Sequence, residues 1–375
     1  MAQVDGSARL EGIEMRRLKL PLVAPFRTSF GTQTTKDVLI LRAVTADAEG
    51  WGECVAAKHP LYASEYVRAA MTTLREFLIP ALRDLPHLDV NLVGPLLDRY
   101  RGHRMSKAAL EMAVWDAELR TAGIPLSRAL GAVETSVPAG VSVGIMDTLD
   151  ELVTVVGGYL EQGYRRIKLK IEPGWDVTAV AAIRDAYGDI PLQVDANTAY
   201  TLADVEQLRK LDDFGLLLIE QPMAEENVLG HAELARHLRT PICLDESITS
   251  ARSAADAIRM GACRIVNIKA GRVGGYLEAR RVHDVCRAHD VPVWCGGMLE
   301  TGLGRAANAA LAALPGMLLP GDVSASSRFY RQDITAPLEL EDGFMSVPTG
   351  PGLGVQPDPE ILESVTVHTE WLPLA

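Results

Sequence analysis

The chain has 375 residues, of which 48% are hydrophobic, so it can bury a sizeable core, most simply divided over two structural units. Its formal net charge is −12 without a lysine- or arginine-rich run, which argues against nucleic acid or an anionic membrane as its main partner. An N-terminus without an apolar segment, five scattered cysteines and no apolar run near the ~20 residues of a membrane span predict a cytoplasmic protein with reduced thiols.

The first part of the chain, residues 1–132, has the pattern of an α+β capping domain. "IEMRRLKLPL" and "DVLILRAVTADAEGWGEC" predict an antiparallel sheet, and helical patterns follow around 64–82 and 106–122. The run "APFRTSFGTQTTK" (24–36) predicts a mobile loop that carries two exposed aromatic residues, Phe26 and Phe30, and that closes over a substrate.

Residues 133–323 contain apolar runs that recur about every 25 residues. The polar ends of six runs, Lys170, Asp195, Glu220, Asp245, Lys269 and Cys295, are separated by 25, 25, 25, 24 and 26 residues. The eight runs are 139–144, 165–170, 191–197, 215–222, 241–247, 263–269, 291–297 and 316–322.

Helix-like segments separate these runs, as "TLADVEQLRKLDDFG" with a cap at Thr201 and "ARSAADAIRMG" ending at Gly261 illustrate. Alternating strands and helices predict parallel βα units, and eight runs predict a closed (β/α)7β TIM-like barrel. The alternative, an open doubly wound sheet, fits less well because no Gly-rich nucleotide fingerprint is present. Residues 324–375 are expected to return to the cap as strands and loops.

Three carboxylates end successive predicted strands: Asp195, Glu220 and Asp245. In a barrel these ends converge on the active-site face, where three anions require a cation. An all-oxygen set suits Mg²⁺, with Mn²⁺ or another divalent ion as a substitute. Alternatively, any one of these carboxylates could have a purely structural role, as a barrel residue that forms a salt bridge.

Lysines flank the carboxylates in the sequence, with Lys168 and Lys170 before them and Lys269 after them. The strands of Lys170 and Lys269 lie four positions apart in a barrel, which places the two amines on opposite sides of the ion. This arrangement suits abstraction of the proton α to a metal-bound carboxylate, through an enediolate. A useful base needs a lowered pKa, for which burial and a cationic neighbour would serve, Lys168 for Lys170 and Arg272 for Lys269. Alternatively, Lys168 and Lys170 could have no catalytic role and could lie at the barrel rim, with their stems buried and their ammonium groups in water.

With these residues assembled, the chain resembles the enolase superfamily, and within it the N-acylamino acid racemase / o-succinylbenzoate synthase family. The resemblance covers nearly the whole chain, and the order Lys-x-Lys, Asp, Glu, Asp, Lys is its most specific part. The motifs that carry it include "PLVAPFRTSFGTQ", "GWGEC", "ALEMAVWDAELR", "GYRRIKLKIEPGWDV", "LQVDANTAYTL", "LLLIEQP", "TPICLDES", "VNIKAGRVGGYLEARRVHDVC" and "PVWCGGMLETGLGRAAN".

The resemblance implies a role for each matching residue. Mg²⁺ would bind Asp195, Glu220 and Asp245, and Lys170 and Lys269 would form the acid/base pair. Lys168 and Asn197 would lie near the substrate carboxylate, and Arg272 matches an arginine that accompanies racemase activity. The implied side-chain pocket comprises Ser142, Phe26, Phe30, Tyr62, Cys295, Gly296, Gly297 and Met298.

The implied activity is racemisation of N-acyl, especially N-succinyl, amino acids, dehydration to o-succinylbenzoate in menaquinone biosynthesis, or both. A small-molecule carboxylate is then the substrate, and a homo-oligomer is expected. A muconate cycloisomerase or dipeptide epimerase would use the same metal ligands. From another class, a Schiff-base aldolase could use Lys269 as its nucleophile. Zinc hydrolysis is disfavoured because no histidine ends a predicted strand.

Overall fold

A computed structural model describes residues 9–85 and 87–374 of the chain. Residues 1–8, the first of the predicted capping domain, lie outside this range. The prediction that the N-terminus carries no secretion signal falls partly on these residues. Within the described residues, no helix is both long enough and apolar enough to span a bilayer.

The chain begins with a long antiparallel hairpin that belongs to a four-stranded sheet, here called the cap sheet. Apolar residues of both hairpin strands are buried, and Met15 pairs with Leu41 in their register. The first three strands are β1 (Leu10–Thr28), β2 (Gly31–Thr45) and β3 (Glu49–Cys54).

The segment 24–36 differs from the predicted mobile loop. It forms the end of this hairpin, where Phe26 pairs with Gln33 and Thr28 pairs with Gly31 across the ladder. Phe26 is buried at 5% exposure rather than exposed, because its ring packs edge-on against Phe329 with the centroids 6.0 Å apart. The segment is therefore a paired hairpin end that packs against Phe329, and not the predicted open loop.

Five α-helices follow the hairpin, and the longest, α4, packs on β3. A Cβ at Gly50 of β3 would lie 2.1 Å from the Ala117 nitrogen, so only glycine permits this approach. The helices are α1 (Val67–Thr73), α2 (Ile79–Ala81), α3 (Val90–Leu97), α4 (Arg104–Ala122) and α5 (Leu126–Leu130).

A seven-stranded parallel sheet forms the body of the molecule, after a short strand β4 (Ser136–Pro138). Its strands are neighbours in chain order, which confirms the predicted barrel-type topology and excludes a doubly wound sheet. They are β5 (Gly140–Val143), β6 (Arg166–Lys170), β7 (Leu192–Asp195), β8 (Ile219–Glu220), β9 (Ile242–Leu244), β10 (Ile265–Ile268) and β11 (Val293–Cys295).

Helices connect these strands, with caps where the sequence predicts them. Thr201 opens its helical segment with a capping box, and Gly261 ends α10 in the left-handed region at φ 70°. The helices are α6 (Leu149–Glu161), α7 (Val177–Tyr187), α8 (Val205–Arg209), α9 (Val228–Ala235), α10 (Ala251–Met260), α11 (Ala270–Val273), α12 (Tyr276–Ala288) and α13 (Gly302–Ala312).

The predicted eighth strand, 316–322, is not a continuous strand. It makes isolated parallel bridges instead, from Met317 to Val293 of β11 and from Gly321 to Ala139 beside β5. These bridges join the two edges of the parallel sheet, so the irregular segment occupies the position of the eighth strand.

The remaining chain returns to the cap sheet. A three-stranded sheet of order β12-β13-β4 precedes the last helix, and the final strand then pairs antiparallel with β1. These elements are β12 (Leu340–Glu341), β13 (Phe344–Ser346), α14 (Pro359–Val365) and β14 (Thr366–Pro373). All five cysteines are buried free thiols, as predicted.

Candidate active site

The carboxylates of the predicted metal set lie at the carboxyl ends of three adjacent strands. Asp195 ends β7, Glu220 ends β8 and pairs with it in register, and Asp245 follows β9 directly. All three are essentially inaccessible, at 1%, 0% and 0% exposure. The parallel strands thus place three acids close together in the protein interior, where each negative charge needs a positive partner.

The lysines supply that compensation. Lys170 Nζ donates to Asp195 Oδ2 at 2.6 Å, and Lys269 Nζ donates to Asp245 Oδ2 at 2.7 Å. Lys168 Nζ lies 3.0 Å from Glu220 Oε2 and 3.3 Å from Asp195 Oδ2. The two lysines of "IKLKIEPGWD" therefore share one face, and each reaches Asp195.

The charges in this cluster shift one another's pKa values. Burial and the neighbouring Asp195 carboxylate raise the pKa of Glu220 to about 7. Burial lowers the pKa of Lys269, but the attraction of Asp245 outweighs it and holds that pKa well above its usual value. The direction is opposite to the predicted lowering.

Arg272 is the predicted cationic neighbour of Lys269, and it faces Asp245 instead. Its Nη2 lies 3.1 Å from Asp245 Oδ1, on the same carboxylate whose other oxygen binds Lys269. The arginine and the lysine are thus linked through a shared anion.

The donor set suits a hard divalent ion in its chemistry. The buried oxygens Asp245 Oδ1 and Glu246 Oε2 have no hydrogen-bond partner. As they stand, however, no three His, Cys, Asp or Glu side chains of the described residues converge closely enough to hold a metal. The ammonium groups of Lys168, Lys170 and Lys269 lie against these carboxylates, so an ion would have to compete with them for the same oxygens.

A cleft opens above the cluster, and its wall combines apolar and charged side chains, as small-molecule sites do. Lys168, Lys170 and Lys269 line it, and the Ser142 hydroxyl, also in its wall, is buried without a hydrogen-bond partner. The predicted substrate-binding residues that line the cleft are Phe26, Phe30, Tyr62, Ser142, Asn197, Gly297 and Met298.

Three predicted substrate-binding residues are not among those that line this cleft: Arg272, Cys295 and Gly296. Cys295 is a core residue at 1% exposure, and its thiol donates to the Gly296 carbonyl. Gly296 has a different use, because a Cβ there would lie 2.7 Å from Lys269 Cε. The absence of a side chain at Gly296 leaves room for Lys269, and its predicted role in substrate binding stays a prediction.

Two acids of the site are absent from the predicted set. Asp322 Oδ2 lies 2.7 Å from Lys168 Nζ, and Glu246 Oε1 accepts a hydrogen bond from Asn197 Nδ2 at 2.9 Å. The available signals were weak: Asp322 ends the eighth apolar run, and Glu246 follows Asp245 directly in "LDES". Their pairing with Lys168 and Asn197 depends on side-chain placement that spacing does not encode.

Comparison with known proteins identifies both parts of the chain. Residues 12–131 match the family model "Mandelate racemase / muconate lactonizing enzyme, N-terminal domain", and residues 151–361 match "Enolase C-terminal domain-like".

Two curated relatives align over nearly their full lengths. An N-succinylamino acid racemase of an Amycolatopsis species is 65% identical, over 97% of this chain and 99% of the relative. An o-succinylbenzoate synthase of Geobacillus kaustophilus is 47% identical, over 95% of this chain and 96% of the relative. The crystal structure of an enolase superfamily member from Listeria innocua superposes with a TM-score of 0.94 at 38% identity, covering 98% of this chain and 100% of that one.

Proposed function

Because this chain belongs to the enolase superfamily, within its N-acylamino acid racemase / o-succinylbenzoate synthase family, we propose that it racemises N-succinylamino acids and also forms o-succinylbenzoate by dehydration. The observation that carries the proposal is the pair Lys170 and Lys269, which line one cleft from strands β6 and β10 and bind different carboxylates. A racemase needs two such proton carriers, one for each face of the α-carbon.

Members of the enolase superfamily depend on a divalent metal, and we propose Mg²⁺ for this chain, held by Asp195, Glu220 and Asp245. The ion would draw charge from the substrate carboxylate and so acidify the α-proton. In racemisation, Lys170 or Lys269 takes the α-proton from its own face, and the other ammonium returns one to the opposite face. In dehydration, Lys170 takes the α-proton and then returns it to the departing hydroxyl group, which leaves as water.

The surroundings of the lysines support these roles. Asn197 Oδ1 accepts a hydrogen bond from Lys170 Nζ at 2.6 Å, and the Tyr62 hydroxyl accepts one from Lys269 Nζ at 3.1 Å. Each amine is therefore oriented by one carboxylate and one neutral oxygen. Phe26, Phe30 and Met298 provide an apolar wall that excludes water from the reacting carbon.

The proposal is tested by incubating the purified protein and Mg²⁺ with one enantiomer of an N-succinylamino acid and following optical rotation. A parallel assay with the synthase substrate measures dehydration. We expect both activities, their loss with EDTA, and their return with Mg²⁺ or Mn²⁺. Full turnover in EDTA-treated protein would refute the metal requirement, and inactivity in both assays would refute the function.

Further assays on the same purified protein distinguish the alternative activities. Turnover of muconate or of a dipeptide in preference to N-succinylamino acids would favour a cycloisomerase or an epimerase. Borohydride trapping of substrate on Lys269 would favour a Schiff-base aldolase. Cytoplasmic location, a homo-oligomer and the boundaries 1–132, 133–323 and 324–375 stay predictions.

A further inference from the structure

A lysine of the cap sheet reaches the same cleft from the side opposite the barrel strands. Lys36 lies on β2, its side chain is nearly inaccessible at 3% exposure, and it lines the cleft beside Met298. Its Nζ donates one hydrogen bond, to the Met298 carbonyl at 2.8 Å. An ammonium group has three donors, so this bond leaves others available.

The acids near Lys36 do not form an ion pair with it. Within the described part of the chain, no carboxylate oxygen lies within 4.0 Å of its Nζ. Glu53 is bound to the Thr301 nitrogen and hydroxyl and to the Gly304 nitrogen, and Glu300 Oε2 accepts from the Met298 nitrogen at 2.8 Å. These carboxylates balance the charge of Lys36 at a distance and leave its donors free.

A buried ammonium with spare donors is costly unless an anion or a hydrogen-bond acceptor reaches it. Burial accordingly lowers the pKa of Lys36, against the attraction of Glu53 and Glu300. Lys36 lines the cleft, whose other lysines, Lys168, Lys170 and Lys269, are engaged by the carboxylates at the strand ends. The cleft's arginine, Arg305, donates to the carbonyls of Ser324 and Glu300.

We propose that Lys36 binds a second carboxylate of the substrate, the one at the far end of a dicarboxylic acyl group such as succinyl. This inference rests on the proposed function, because the first carboxylate must occupy the strand ends for the second to extend toward the cap sheet. Lys36 would thereby select substrates with an acidic acyl tail over those with a neutral one. It is a specificity-determining residue and takes no part in proton transfer.

The test compares two derivatives of one amino acid, the N-succinyl and the N-acetyl, on the wild-type protein and on Lys36→Met. We expect the succinyl-to-acetyl ratio of kcat/KM to fall about 10- to 100-fold in the variant, as for loss of one charge-assisted hydrogen bond. Lys19→Met is the matched control, since this exposed lysine lies on β1, opposite Asp37 and next to the Leu20–Lys36 pair in the ladder. Its ratio should stay at the wild-type value.

An equal loss on both derivatives would overturn the proposal, because it would mean that Lys36 only holds the Met298 carbonyl. An unchanged ratio would overturn it as well. If Lys36→Met does not fold, calorimetric binding of N-succinylglycine and N-acetylglycine to the wild-type protein with Mg²⁺ replaces it. Preference for N-succinylglycine by about tenfold or more supports the proposal, and equal affinity refutes it.

Failure of the proposed function gives a separate result. Wild-type protein that turns over neither derivative nor the synthase substrate would refute the function. The same calorimetric comparison would still decide whether the cleft prefers a ligand with a second carboxylate, and Lys36→Arg, which keeps the cation, should then preserve that preference.

Discussion

Single residues in the cleft form two small charge-sharing groups. Asp195 binds both Lys168 and Lys170, whereas Asp245 binds both Lys269 and Arg272. Each of the two proposed proton carriers, Lys170 and Lys269, is therefore paired with its own acid and its own neighbouring cation. A change at one lysine should leave the other in place.

Replacing either lysine by alanine should stop racemisation, with a fall in kcat of at least about 10²- to 10⁴-fold, because one face of the α-carbon loses its proton carrier. Proton NMR in ²H₂O should then show exchange of the α-proton from only one enantiomer in Lys170→Ala, and from only the other in Lys269→Ala. Lys210→Ala, at an exposed lysine, is the control. Parent-rate racemisation by either lysine variant would contradict the two-carrier mechanism.

The site residues that the sequence predicts best are those set by strand spacing. Five of these residues lie at the end of a strand or directly after it, and periodicity suffices to bring such positions together: Lys170, Asp195, Glu220, Asp245 and Lys269. Residues that reach the cleft from elsewhere carry no such signal. Lys36 comes from the cap sheet, and Asp322 comes from an irregular segment, so their roles depend on tertiary packing.

Among the elements, β3 and α4 show the closest backbone packing described above. A side chain at Gly50 would meet the Ala117 nitrogen at 2.1 Å and the Ala113 carbonyl at 2.2 Å, and neither backbone atom can yield without moving the helix. The glycines of "GWGEC" are therefore a packing requirement of this pair of elements.

Gly50→Ala should lower the free energy of unfolding by about 3 kcal/mol or more, at the upper end for an overpacked core. Gly158→Ala is the matched control, since this glycine lies inside α6 with nothing within 4 Å of its added Cβ. The control should gain about 0.5–1 kcal/mol from helix propensity. Urea denaturation measures both, and equal stability of the two variants would contradict this account of the packing.

Elements with local signals were predictable, and those stabilised at a distance were not. Thr201 and Gly261 mark helix ends through their own backbone preferences, so the sequence alone locates them. The hairpin end at 24–36 has turn-like residues, yet it is held by cross-strand pairing and by Ser29, whose hydroxyl donates to the Ala196 carbonyl at 3.1 Å. Composition could not reveal those partners.

Over the whole molecule, Glu111 couples the long helix α4 to the barrel. Its carboxylate accepts hydrogen bonds from the Tyr276 nitrogen at 2.8 Å and the Leu277 nitrogen at 3.1 Å, at the start of α12. Burial raises the pKa of Glu111 from 4.5 to about 7. The group therefore binds a proton more tightly in the folded protein than in the unfolded chain.

The Glu111 contribution to stability should be complete below pH 4.5 and should disappear as the pH rises through about 7, a change of up to about 3 kcal/mol. Between these limits the folded protein holds more protons, so the free energy of unfolding falls with rising pH. Urea denaturation at several pH values should show a shallower decline for Glu111→Gln than for the wild type. Parallel pH profiles would contradict this assignment.

The pairing of β14 with β1 joins the first and last strands of the described residues, with Gly12 opposite Pro373. Because β14 is synthesised after the other strands of the cap sheet, β1 stays an uncovered sheet edge until residues 366–373 have left the ribosome. Exposed edges invite pairing with other chains. The nascent protein therefore passes through an aggregation-prone interval that ends only when β14 can pair with β1.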